Sequence, residues 1–188
     1  MRAPERARKG FARFWNSPRQ CCFDVIDGPG GEDASLRPNQ IFAVSLPESA
    51  LTPEQQRAVV DVCARELLTS FGLRSLAPGE PGYRGRYAGK PEERDAAYHQ
   101  GTVWGWLLGP FALAHLRVYQ DPDVAASFLE PMWGHLAAAG LGTASEIFDG
   151  DVPFAPNGCV AQAWTVAETL RAWRVIAGAQ GKAGSISK

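Results

Sequence analysis

Apolar residues recur at helical spacing in six stretches of the chain. In residues 4–14, Phe11 and Phe14 share one side with Trp15 beside them, and Asn16-Ser17-Pro18 ends the run. Residues 39–46 hold a short apolar segment that Pro47 stops. Residues 53–68 carry the clearest stripe, Val59, Val60, Cys63, Leu67 and Leu68, with Thr52 at the N-cap and Pro53 at the first helical position. Residues 102–119 are apolar on nearly every side, the pattern of a helix surrounded by other helices. Residues 124–139 align Phe128, Leu129, Met132, Trp133 and Leu136, with Pro131 marking a kink or an early turn. A last apolar helix covers residues 159–177. Strand-like alternation is nearly absent: only residues 22–26 read as extended, leading into a turn at 27–31. The pattern predicts an all-α fold of helical hairpins, with no repeat at solenoid periods.

Composition narrows the reading. A chain of 188 residues suits one domain, expected over residues 1–178, with the small polar segment 179–188 as a disordered tail. A net charge of −1 supplies no basic field, so neither nucleic acid nor a membrane is an expected partner. No apolar run reaches the roughly 18 residues that span a bilayer, and no apolar core of a signal peptide follows the charged start. Cys21, Cys22, Cys63 and Cys159 lack metal-ligand spacing and read as free thiols in a reducing cytoplasm. The glycine run at 28–31 lacks the phosphate-binding spacings, so no metal and no cofactor is expected.

The chemistry gathers in the loops. Residues 72–97 form a long connection with Arg74, Tyr83, Arg84, Arg86 and Tyr87, the make-up of a binding loop. Residues 142–151 (GTASEIFDGD) set Glu146, Asp149 and Asp151 between two helices. Glu146 is flanked by Ser145 and Ile147 rather than by a cation, and Phe148 can shield it. Partial burial of that kind prepares a carboxylate for acid–base work. The bland alternative is that Ser145 and the acids cap a helix or shape a turn. Arg37, Asn39 and Gln40 lie beside an apolar element and need partners, for which a sugar hydroxyl would serve.

Four blocks then share an order with a known family. Residues 27–47 (DGPGGEDASLRPNQIFAVSLP), 73–78 (LRSLAP), 98–115 (YHQGTVWGWLLGPFALAH) and 142–173 (GTASEIFDGDVPFAPNGCVAQAWTVAETLRAW) resemble the C-terminal amylo-α-1,6-glucosidase domain of glycogen debranching enzymes. The resemblance covers residues 11–177. It implies an (α/α)6 toroid, of which six helices are about half. Residues 39–46, 102–119 and 159–177 are then inner helices, and 53–68 and 124–139 outer ones. The implied activity is hydrolysis of α-1,6-glucosidic branch linkages in glycogen-like α-glucans with inversion, Glu146 being the general base.

The family's acid lies in a Thr-Trp-Met-Asp type motif that this sequence lacks, and an inverting enzyme needs both carboxyls. The acid is therefore expected from an upstream segment, which makes the partners a branched α-glucan, such as glycogen or limit dextrin, and the missing N-terminal half. The alternative is a catalytically inactive carbohydrate-binding or regulatory remnant. His99 and Gln100 are expected to contact substrate. Trp104 either stacks a glucose ring or packs in the core. Asp33, Arg37, Asn39 and Gln40 either line the sugar site or pin the inner helices. Asp149 and Asp151 are expected to fix the Glu146 loop and are the rival bases. His115 and His135 read as satisfied or surface histidines, and Trp106, Trp133, Trp164 and Trp173 as core. Gly105 stands where the family has proline and is expected to loosen that turn. Half a toroid leaves an apolar flank bare, so the chain is expected to associate.

Overall fold

The computed structural model describes residues 3–186. Helices dominate it. Helix α1 (Ala3–Phe11) runs on into a 3-10 turn, Ala12–Phe14, and α2 (Phe42–Ser45) continues a 3-10 turn, Pro38–Ile41. Helix α3 (Pro53–Glu66) starts as its cap predicts. Thr52 Oγ1 accepts from the Gln55 N–H at 3.3 Å, and the Gln55 side chain accepts from the Thr52 N–H at 3.0 Å. Helix α4 (Pro91–Ala97) lies inside the segment expected to be all loop. Four helices follow: α5 (Leu108–Tyr119), α6 (Pro122–Ser127), α7 (Glu130–Ala138) and α8 (Ala163–Ile186).

Helix α5 joins two clusters of buried side chains. Phe111 and Ala114 pack with Val59, Val60 and Cys63 of α3 and with Ile41 and Val44. Leu108, Ala112 and Leu113 pack with Ala125, Leu129, Met132, Ala172 and Ile176 of the later helices. Apolar residues on all its sides thus meet helices on several sides.

The all-α expectation needs correcting, because short strands link the helices. One antiparallel pair joins β1 (Trp15–Asn16) to β2 (Cys21–Cys22), and a hairpin joins β3 (Val25–Gly28) to β4 (Gly31–Asp33). Five strands then pair in chain order: β5 (Leu68–Thr69), β6 (Gly72–Arg74), β7 (Val103–Trp104), β8 (Ile147–Phe148) and β9 (Pro156–Asn157). Two or three residues are too few to show alternation, so periodicity could not reveal them.

Helix bounds shift for the same reason. Residues 102–107 enter β7 and a 3-10 turn, Gly105–Leu107, before α5 begins. Residues 124–139 split at Phe128 and Leu129 into α6 and α7, with Pro131 in the first turn of α7. Helix α8 begins at Ala163 rather than Cys159, and it continues to Ile186 where a tail was expected. Ser187 and Lys188 lie outside the described residues.

Candidate active site

Pairing of β7 with β8 sets Trp104 opposite Ile147 and brings the two loops of interest together. The Gly105 N–H donates to Glu146 O (3.2 Å), and the Glu146 N–H donates to Cys159 O (2.9 Å). The Glu146 side chain is half-buried. Its Oε2 accepts from the Cys159 N–H (3.1 Å) and its Oε1 from Gln162 Nε2 (3.0 Å). The Tyr98 phenol lies near the same carboxylate. Burial first, then that neighbouring carboxylate, pushes the phenol's pKa up to about 12. Gly158, at φ +70°, makes room, since a Cβ there would stand 2.5 Å from Glu146 Oε2.

Beside this shelf opens a cleft of about 560 Å3, lined by Asp33, Arg37, Asn39, His99, Gln100 and Trp104 among others. His99 stacks on Trp104, with ring centroids 5.1 Å apart and planes within 3°. Tyr98 meets Trp104 edge-on at 4.8 Å and links the cleft to Glu146. Glu146 itself is not among the lining residues, so the cleft gathers His99, Gln100 and Trp104 without the carboxylate. Arg37 organises the far wall. Its guanidinium donates to Ser75 O (3.1 Å), His99 O (2.8 Å) and Gln100 Oε1 (3.1 Å), and lies 3.6 Å from Asp24. Asn39 donates to Asp24 Oδ1 (3.3 Å). Asp33 accepts from the Ser35 N–H (2.8 Å), and the bonds from Ser35, side chain before backbone, hold its carboxyl below the usual range.

Gln40 is, besides Glu146, the sequence candidate that the cleft does not include. Its amide accepts from the Cys22 N–H (3.1 Å) and donates to Arg37 O (3.1 Å), and it borders a second cavity of about 340 Å3 walled by Phe11, Phe14 and Phe42. Asp24, Tyr98, Gln162 and Trp164 are site residues that sequence reasoning missed. Trp164, read as core, is 64% exposed and meets Trp106 edge-on at the cleft. Trp133 and Trp173 are likewise exposed rather than core.

The remaining acids hold the loop. Asp149 is buried and accepts from Arg86 (3.3 Å), the Tyr87 N–H (3.0 Å) and Asn157 Nδ2 (3.0 Å). Asp151 accepts from the Tyr83 hydroxyl (2.9 Å). The long connection is thereby pinned to the Glu146 loop. His135 secures the other end, its Nε2 accepting from the Ser145 N–H (3.1 Å). His115 stacks on Tyr119, and its Nδ1 has no hydrogen-bond partner. At Gly105 a Cβ would stand 2.8 Å from Thr165 Cγ2, so the glycine lets the 3-10 turn and α8 approach. Among the described residues no cluster of His, Cys, Asp or Glu is arranged to hold a metal ion. No described helix is long and apolar enough to cross a membrane. The four cysteines are free thiols, three of them buried.

A carboxylate held by two N–H donors thus stands near a cleft with an aromatic wall. Residues 2–171 match the family model described as amylo-alpha-1,6-glucosidase, and the chain belongs to that family. It is also 33% identical over 99 residues to the glycogen debranching enzyme of Saccharomyces cerevisiae. That match covers 48% of this chain and 6% of the yeast protein, so the chain spans a small part of its relative's length.

Proposed function

We propose that these residues form the base-bearing half of a glucosidase domain that hydrolyses α-1,6-glucosidic branch linkages in glycogen-like α-glucans with inversion. Glu146 is the general base: it takes a proton from the water that attacks the anomeric carbon. A general acid on a segment outside these 188 residues protonates the leaving oxygen, about 6.5–9.5 Å away across the sugar. His99, Gln100, Trp104, Asp33, Arg37 and Asn39 bind the glucan, Trp104 by its ring and the polar groups by the sugar hydroxyls. Gln40 acts from behind by holding Arg37 O. The helices are half of an (α/α)6 toroid, a single domain over residues 1–178, and the other half covers the apolar face that α8 leaves exposed. The free thiols fit a cytoplasmic site of action.

The observation that carries this reading is the Glu146 carboxylate. Both of its oxygens accept from N–H donors, and Tyr98, which meets Trp104, lies near it. The test joins these residues to the upstream half of a debranching-enzyme domain and follows glucose release from a maltosaccharide with one α-1,6-glucosyl stub. Glu146→Gln keeps size but removes the proton acceptor and turns an NH2 towards one of the two N–H donors, and it lowers kcat by about 10²–10⁴-fold. Near wild-type turnover in that variant rules Glu146 out as the base. Glucan binding without any turnover in the joined wild-type protein would favour a carbohydrate-binding remnant instead.

A further inference from the structure

Gln162 stands between the Glu146 carboxylate and the start of α8. Its side-chain nitrogen donates to Glu146 Oε1 (3.0 Å), and its side-chain oxygen accepts from the Trp164 N–H (3.4 Å) in the first turn of the helix. Its own N–H is anchored on Ala144 O (2.8 Å). An amide is the group that can do both tasks: a carboxylate could accept from the helix but not donate to Glu146, and a cation could donate but not accept.

We propose that Gln162 is a positioning residue that orients the Glu146 carboxylate from the start of α8, working with the Cys159 N–H and the Tyr98 phenol. The proposal rests on Glu146 being the general base. A carboxylate offers about four acceptor positions. The Cys159 N–H takes one on Oε2 and Gln162 Nε2 one on Oε1, which leaves positions free for the attacking water. Because Gln162 is neutral, it fixes direction without cancelling the charge that draws the water's proton. The same residue ties that direction to α8, whose first turn carries Trp164 at the mouth of the cleft. Trp164 and the base therefore share one anchor, Gln162.

Two variants separate the tasks. Gln162→Glu keeps the size and the acceptor for the helix but turns a carboxylate towards Glu146, whereas Gln162→Ala removes both bonds. In the 188-residue chain, the side-chain NH2 resonances of Gln162 stand apart from those of the other glutamines and collapse towards them in Glu146→Ala. In the joined enzyme, Gln162→Glu lowers kcat by about 10²-fold and leaves KM within about threefold, with the thermal midpoint near wild type. Tyr98→Phe gives a smaller loss of kcat in the same direction. Unmoved Gln162 resonances in Glu146→Ala overturn the proposal. So does a Gln162→Glu enzyme that keeps kcat within about threefold while Glu146→Gln abolishes turnover, and in that case the base assignment stands. If Glu146→Gln itself keeps turnover, the base assignment and the positioning role fall together.

Discussion

Residues 142–157 and the outer face of α8 are neighbours in sequence, yet one is closed on itself and the other is not. In the loop every acid has donors close by: Glu146 has Cys159 and Gln162, Asp149 has Arg86, Tyr87 and Asn157, and Asp151 has Tyr83. On α8, Trp164, Leu170, Trp173 and Val175 are 64%, 51%, 52% and 48% exposed. Polar groups are costly to leave unpaired and find partners within the chain. Apolar side chains have no such cost to settle and stay in solvent along this helix. The difference teaches that the frame around Glu146 is built within these residues, while α8 keeps large apolar side chains exposed.

The contrast breaks first at Asp149. Asp149→Ala strands the Tyr87 N–H, leaves Asn157 Nδ2 only Ala155 O and Arg86 only Val152 O, and so should cost about 2–3 kcal/mol. Urea denaturation reads that loss, and a cost below about 0.5 kcal/mol would mean the loop is not closed by this residue.

A smaller effect comes from His135. Burial holds its pKa below the ordinary 6.5, and its Nε2 must stay unprotonated to accept from Ser145. The unfolded chain takes up a proton near pH 6.5 that the folded chain resists, so this contribution is full above that pH and is lost as pH falls through it. His115 is shifted the same way by burial. Urea midpoints at about pH 7.5 and about pH 5.5 should therefore differ less in His135→Gln than in wild type. An unchanged difference would remove His135 from the account.

The smallest effect on stability is expected on α8, where Trp173→Glu should change it by less than about 0.5 kcal/mol. Its effect on association is the informative one. Sedimentation should show wild-type chains self-associating and the Trp173→Glu chain shifted towards monomer. A wild-type chain that stays monomeric and binds no hydrophobic dye would mean the exposed face needs no cover.

Much of the helical frame was legible because its signals are local. Thr52 and Pro53 announce the start of α3, and the apolar run in residues 103–116 announces a central helix. The strands were hidden because two or three residues carry no periodicity, and their pairing is decided by residues as distant as Trp104 and Ile147. At the site, Glu146 stood out by lacking a neighbouring cation, and His99, Gln100 and Trp104 by preceding an apolar helix. Asp24, Tyr98 and Gln162 did not, because each acquires its meaning from a neighbour across the fold. Trp164 and Trp173 were misread as core, since hydrophobicity signals a wish for burial without saying which chain supplies the cover.

The central claim is that Glu146 is one half of a catalytic pair whose other carboxyl lies outside these residues. Mixing the 188-residue chain with a separately produced upstream half of a debranching-enzyme domain, and following glucose release from an α-1,6-glucosyl stub, tests it most directly. The account predicts no release from either piece alone and release from the mixture, abolished by Glu146→Gln. Glucose released by the 188-residue chain on its own would contradict it.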